Sequence, residues 1–241
     1  MQSTLFDQRN LEAQGQQRFG LQNPQMLRVA LGPDVLSIKG AMVAYQGEIT
    51  FNHEGAGSVG KLIRKIVTNE DVPFMRVAGN GEVFFASEAG FVYLIDLVGD
   101  SLSVNGRNLL AFDAAINWDI MRTEGAGMLS AGLYNVVLEG HGTVALQAVG
   151  QPVVLDCSQQ PTYVDVQAAV AWSANLAPRV VSSMNIKSML RGGSGEAFQY
   201  VFNGPGFVVV QPSEWPAGAQ HDDDQRGSGQ QRGGLLGGLM G

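Results

Sequence analysis

One cysteine, Cys157, stands in 241 residues, which excludes an internal disulfide and a thiolate metal site and suits a reducing compartment. Charge is also scarce. Charged residues make up 15%, well below the usual quarter, so much of the surface is free to meet another subunit. The 15 basic residues are outnumbered by 22 acidic ones, for a net charge of −7. They are spread along the chain rather than clustered as phosphate binding requires, and no nucleic-acid partner is expected. Nowhere do eighteen apolar residues run together, and Met1–Asp7 has neither a basic start nor an apolar run. The sequence therefore predicts no spanning helix and no leader, and a cytoplasmic protein that is at most peripheral to a membrane.

What the chain does have is glycine, 32 residues of it, much of it in a repeated pattern. Gly79-Asn80-Gly81-Glu82-Val83, Gly140-His141-Gly142-Thr143-Val144 and Gly204-Pro205-Gly206-Phe207-Val208 recur roughly every 60 residues. Each copy lies between apolar runs, such as Val136-Val137-Leu138 and Val144-Ala145-Leu146, and reads as a tight hairpin turn. Short apolar runs punctuated by Gly and Pro predict strands near 26–31, 34–38, 41–45, 48–51, 74–77, 83–86, 91–96, 102–104, 109–112 and 116–121. Helical spacing of Leu62, Ile63, Ile66 and Val67 predicts a short helix over 59–68, and a second is expected over 182–190. Ala114–Trp118 looks like a counterpart of Ala168–Trp172, which would place Trp118 and Trp172 in equivalent packing positions. The fold class expected is all-β: antiparallel meanders repeated with pseudo-threefold symmetry in a sandwich or barrel, with two short helices. Closing such a sheet would require the strands near 26–45 to pair with the third copy, which leaves no free edge.

The organisation read from composition is a lead-in over 1–19, a single β domain of three related units over 20–214, and a tail over 215–241. Residues 216–232 are Gln/Gly-rich and acidic, with nothing to bury. The end presents Leu235, Leu236, Leu239 and Met240 on that tether, an attachment point for a protein partner or, weakly, for a membrane.

Candidate chemistry is sparse. Gly55–Lys61 resembles a phosphate-binding loop, but Leu62 stands where the magnesium-binding Ser/Thr belongs, and the apolar run ending in Asp96 sits in a meander rather than a βαβ unit. His53, His141 and His221 lack ligand spacing. Asp96, Asp113, Asp119, Asp156 and Asp165 follow strand residues and read as caps and turn formers before acid–base groups. Cys157 has no His or cationic neighbour to lower its pKa. The most distinctive string is Asn105-Gly106-Arg107-Asn108-Leu109-Leu110-Ala111-Phe112-Asp113. Asn105, Arg107, Asn108 and Asp113 are accordingly the candidate interaction residues, and no catalytic residue, metal or cofactor is assigned.

Gly40–Gly47, the Asn105–Asp113 string with Trp118 downstream, and Gly195-Glu196-Ala197-Phe198 leading to Gly204-Pro205-Gly206 together resemble the altered-inheritance-of-mitochondria protein 24 family over about residues 20–214. The resemblance implies a fold similar to the tryptophan RNA-binding attenuation protein, in repeats, and a bacterial member, since no Arg-rich presequence is present. Fungal members are associated with mitochondrial inner-membrane organisation, bacterial members have no settled activity, and no catalytic residues carry over. The function expected is therefore a non-catalytic scaffold or interaction protein linked to membrane or respiratory-complex organisation, with self-association or a protein partner. The alternative is a small-molecule binder or enzyme that uses the polar cluster at 105–113.

Overall fold

The computed structural model describes residues 2–13, 15, 17–54, 74–122, 134–182 and 198–214. The predicted helix over 59–68 lies outside these residues, as does all of that over 182–190 except Ser182, which is the last residue of a strand. Among the described residues the only helical pieces are two single 3-10 turns, Thr4–Phe6 and Gln8–Asn10. The rest is antiparallel β, as the sequence pattern predicts.

After β1 (Phe19–Asn23), the strands fall into three units of like connectivity. The first holds β2 (Met26–Ala30), β3 (Val35–Ile38), β4 (Met42–His53) and β5 (Phe74–Phe85). The second holds β6 (Phe91–Asn105), β7 (Leu109–Asp113), β8 (Asn117–Arg122) and β9 (Tyr134–Ala148). The third holds β10 (Val153–Asp156), β11 (Thr162–Asp165), β12 (Ala169–Ser173), β13 (Arg179–Ser182), β14 (Phe198–Phe202) and β15 (Phe207–Val210).

The repeated glycine pairs are not hairpin turns in the first two units. Gly79–Gly81 lies inside β5 and Gly140–Gly142 inside β9, and the runs flanking them belong to one continuous strand. The third pair joins β14 to β15, which belong to different sheets. All three pairs share one backbone shape: φ is 126° and 144°, then 128° and 147°, then 132° and 152°. Such extended, positive-φ backbone suits glycine, and it bends a strand without reversing it. Sequence signals positive φ equally for a turn and for a bend, hence the difference.

The units match bond for bond. A turn closes with Ala41 N to Ile38 O, Asn108 N to Asn105 O and Ala168 N to Asp165 O. The carbonyl of the last turn residue then accepts from the far end of the kinked strand: Ala86 N to Ala41 O, Gln147 N to Asn108 O and Gln211 N to Ala168 O. A bulge follows at Met42/Ala44, Leu109/Ala111 and Ala169/Ala171. Past it an aromatic residue faces valine in each unit: Tyr45 opposite Val83, Phe112 opposite Val144 and Trp172 opposite Val208. Trp172 therefore corresponds to Phe112 and Tyr45, and the expected Trp118–Trp172 equivalence is corrected: Trp118 faces Leu138, on the other side of the kink in β9.

Neighbouring units join through one register used twice. Val35, Leu36 and Ser37 of β3 face Asp113, Phe112 and Ala111 of β7, while Leu102, Ser103 and Val104 of β6 face Ser173, Trp172 and Ala171 of β12. Among the described residues the sheet does not close on itself. Its path runs from β1 to β10, β4 hangs from β5 alone and β11 from β14 alone, so strands 26–45 do not pair with the third unit among the described residues.

Three apolar clusters fill the interior, the first two shared across the joints between units and the last confined to the third unit. One gathers Leu27, Val29, Val77 and Phe85, the next Phe74, Phe112, Trp118 and Leu138, the last Cys157, Trp172, Tyr200 and Phe202.

Candidate functional site

The string from Asn105 to Asp113 is the second unit's turn and bulged strand, and the side chains of Asn105, Asn108 and Asp113 bond within the fold. Asn105 accepts from Arg107 N through Oδ1 (3.2 Å), an Asx turn matched by Asp165 Oδ1 and Gln167 N (2.7 Å) in the third unit. Its Nδ2 donates to Ala169 O (3.2 Å), across to the third unit. Asn108 is fully buried, and its Nδ2 donates to Gln147 O (2.8 Å) and Gln211 Oε1 (3.1 Å). Gln147 in turn donates to Arg107 O (2.9 Å), and Gln211 Oε1 also accepts from Val149 N (3.1 Å). These amides lock the second unit to the third. Asn108 Oδ1 and Gln147 Oε1 are buried without a hydrogen-bond partner among the described residues.

Asp113 is at the other end of β7, roughly 13–16 Å along the strand from Asn108. It pairs with Arg18, whose Nη2 also donates to Pro33 O (2.7 Å), and its Oδ2 accepts from Thr143 N (2.8 Å) just past the kink. Ser173 Oγ does the same for Phe207 N (3.1 Å) in the third unit. Burial lowers the Arg18 pKa, and the ring of Phe19 lies 5.1 Å from its guanidinium. Asn105, Arg107 and Asn108 thus come together in one turn, and Asp113 belongs to a separate ion pair. Leu235, Leu236, Leu239 and Met240 lie outside the described residues.

Of the other carboxylates read as caps and turn formers, Asp156 and Asp165 behave that way, whereas Asp96 and Asp119 lie inside β6 and β8. Backbone and hydroxyl hydrogen bonds from Ser158 hold Asp156 below its ordinary pKa, and Asp96 accepts from Thr143 Oγ1 (2.7 Å) across the β6–β9 pair. Glu12, raised chiefly by its hydrogen bond to Glu82, shares a cluster with Arg28, whose hydrogen bond is the main cause lowering Glu82. Cys157 is buried in the third apolar cluster. Local sequence could not have announced Gln147 and Gln211, since they meet Asn108 only through strand pairing.

A structural role makes a definite prediction at Asn108. Replacement by alanine strips donors from Gln147 O and Gln211 Oε1, a loss of about 2 kcal/mol. Asn108→Asp, which adds a buried charge in place of the donor, is expected to cost more. Equilibrium urea unfolding checks both, and an Asn108→Asp chain as stable as the parent would remove the network from the fold's support.

The comparisons with known proteins agree on architecture. The sequence model of the family described as Mitochondrial biogenesis AIM24 matches residues 19–213. The crystal structure of protein SPYM3_0169 from Streptococcus pyogenes is similar, with a TM-score of 0.67 at 21% identity, covering 81% of this chain and 92% of that one. No curated protein matches. Among the described residues no helix is long and apolar enough to cross a membrane, a statement about helices alone.

Proposed function

This chain belongs to the mitochondrial biogenesis AIM24 family, and from that premise we propose that it is a non-catalytic scaffold that self-associates or organises partner proteins. One contrast supports this reading. Asn105, Asn108 and Asp113 of the 105–113 string spend side-chain hydrogen bonds on the fold, whereas edge strands leave Val153 52%, Val154 64% and Tyr163 60% exposed. Apolar side chains beside unpaired backbone groups favour addition of another strand. A link to membrane or respiratory-complex organisation, and a cytoplasmic, membrane-peripheral location, belong to the same proposal, with Leu235, Leu236, Leu239 and Met240 as the tethered attachment point. The rival, a small-molecule binder or enzyme at 105–113, draws support from the two unpartnered amide oxygens, Asn108 Oδ1 and Gln147 Oε1.

Two variants test the scaffold reading without touching the core. A chain carrying Val153→Lys and Val154→Lys, and a chain truncated after Trp215, are each expected to melt within about 2 °C of the parent. Both should recover less partner protein or membrane on affinity capture from the host. Unchanged recovery by both variants would sink the scaffold reading, and unfolding of the truncated chain would sink the attachment role of the tail.

A further inference from the structure

The two joints between units leave a third one unmade. In each joint the strand preceding the turn of one unit lies against the bulged strand of the next: β3 on β7, and β6 on β12. The backbone bonds beyond the register repeat too, with Ala114 N to Asp34 O and Ala174 N to Ser101 O. The third unit offers the corresponding strand, β11, and the first unit the corresponding bulged strand, β4. Carrying the register over sets Thr162 against Gln46, Tyr163 against Tyr45 and Val164 against Ala44.

Among the described residues, both strands are paired on one side and have no strand on the other. β11 is paired along its length to β14 and β4 to β5. Yet Tyr45 is 49% and Tyr163 60% exposed, whereas Phe112 and Trp172, the counterparts of Tyr45, are 0% and 2%, and Leu36 and Ser103, the counterparts of Tyr163, are 0% and 1%. Val43, 51% exposed, corresponds to the buried Leu110 and Val170. None of the six facing residues is charged, and facing aromatic rings are a favourable cross-strand pair.

We propose that β4 of one copy is covered by β11 of a second copy, in the register of the two joints within the chain. The contact is heterologous, one strand type meeting another, so each copy offers one donor edge and one acceptor edge, and copies assemble head to tail in a ring or a filament. The inference deepens the scaffold reading, but its test is separate: recruitment of host partners can fail while purified copies still associate.

A lysine on an edge strand blocks strand addition, and both tyrosines are about half exposed, Tyr45 giving up only its edge-on contact with the ring of Phe51. In sedimentation velocity the parent chain is expected to form oligomers. Tyr45→Lys alone and Tyr163→Lys alone are each expected to be monomeric, with melting temperatures near the parent's. Mixed together they retain one good β11 and one good β4, and should form a 1:1 dimer and nothing larger. As a second measurement, Tyr45→Cys and Tyr163→Cys placed on differently tagged chains should form a mixed disulfide on oxidation, the facing Cα atoms being within disulfide reach. The proposal is overturned if the parent is monomeric at all concentrations, if the two lysine variants associate as the parent does, or if the disulfide forms only within a chain carrying both cysteines.

Discussion

Replacing Gly81 by alanine is expected to leave the chain without a cooperative thermal transition. At Gly81 φ is 144°, and an added Cβ would lie 2.0 Å from the carbonyl oxygen of Gln46. That oxygen is backbone in β4, paired along β5 on both sides of the kink, and cannot swing away as a side chain would. The conformation alone costs on the order of 1–3 kcal/mol, and separating the two strands adds the pairing and burial of the first unit. Total stability for such a domain is about 5–15 kcal/mol, so the sum approaches the whole. Gly140 supplies the control, since its φ of 128° is similar but nothing lies within 4 Å of an added Cβ. Gly140→Ala should lose only the conformational cost, on the order of 1–3 kcal/mol, a drop of some 2–12 °C. Circular dichroism melting separates the two, and a Gly81→Ala chain that melts like Gly140→Ala would show that β4 yields at the kink.

The glycine pairs make the threefold repeat of this fold legible in its sequence, because no other residue occupies those dihedrals freely. Whether the chain reverses or bends there depends on the strand that receives it, which is a long-range fact. The tryptophans show the opposite failure. Trp118 and Trp172 share a letter but not a register, while Tyr45, Phe112 and Trp172 share a register under three letters. The turn that opens each bulged strand hides for a related reason: Asn105 and Asp165 carry Asx-turn acceptors, but Ile38 closes the same turn by backbone alone. The polar string at 105–113 stands out in the sequence because it is unusual, and polarity does not distinguish a group that meets a ligand from one that satisfies a buried backbone. The pairing of β7 with β9, and the approach of Gln211 from the third unit, tie the Nδ2 of Asn108 into the frame.

Trp172 should be the most costly apolar side chain to remove from the third unit. It is 2% exposed and packs against Tyr200 and Phe202, ring centroids 5.7 and 5.5 Å away, and its backbone faces Ser103 across the joint to the second unit. The unit is small, with β11, β14 and β13 forming their own three-stranded sheet, so few other contacts can close over the space left behind. Trp172→Ala is expected to cost about 3–5 kcal/mol, or roughly 6–20 °C in melting temperature. Trp172→Phe should cost well under half of that, because the second unit accepts phenylalanine at the corresponding position, Phe112. Cys157 reports on where the damage falls. It is fully buried in the same cluster, so in Trp172→Ala its thiol should react with a maleimide much faster than in the parent, at temperatures where the chain remains folded. Equal loss from Trp118→Ala and Trp172→Ala, with no change in Cys157 labelling, would mean that the third unit is held by its joint to the second rather than by its own aromatic core.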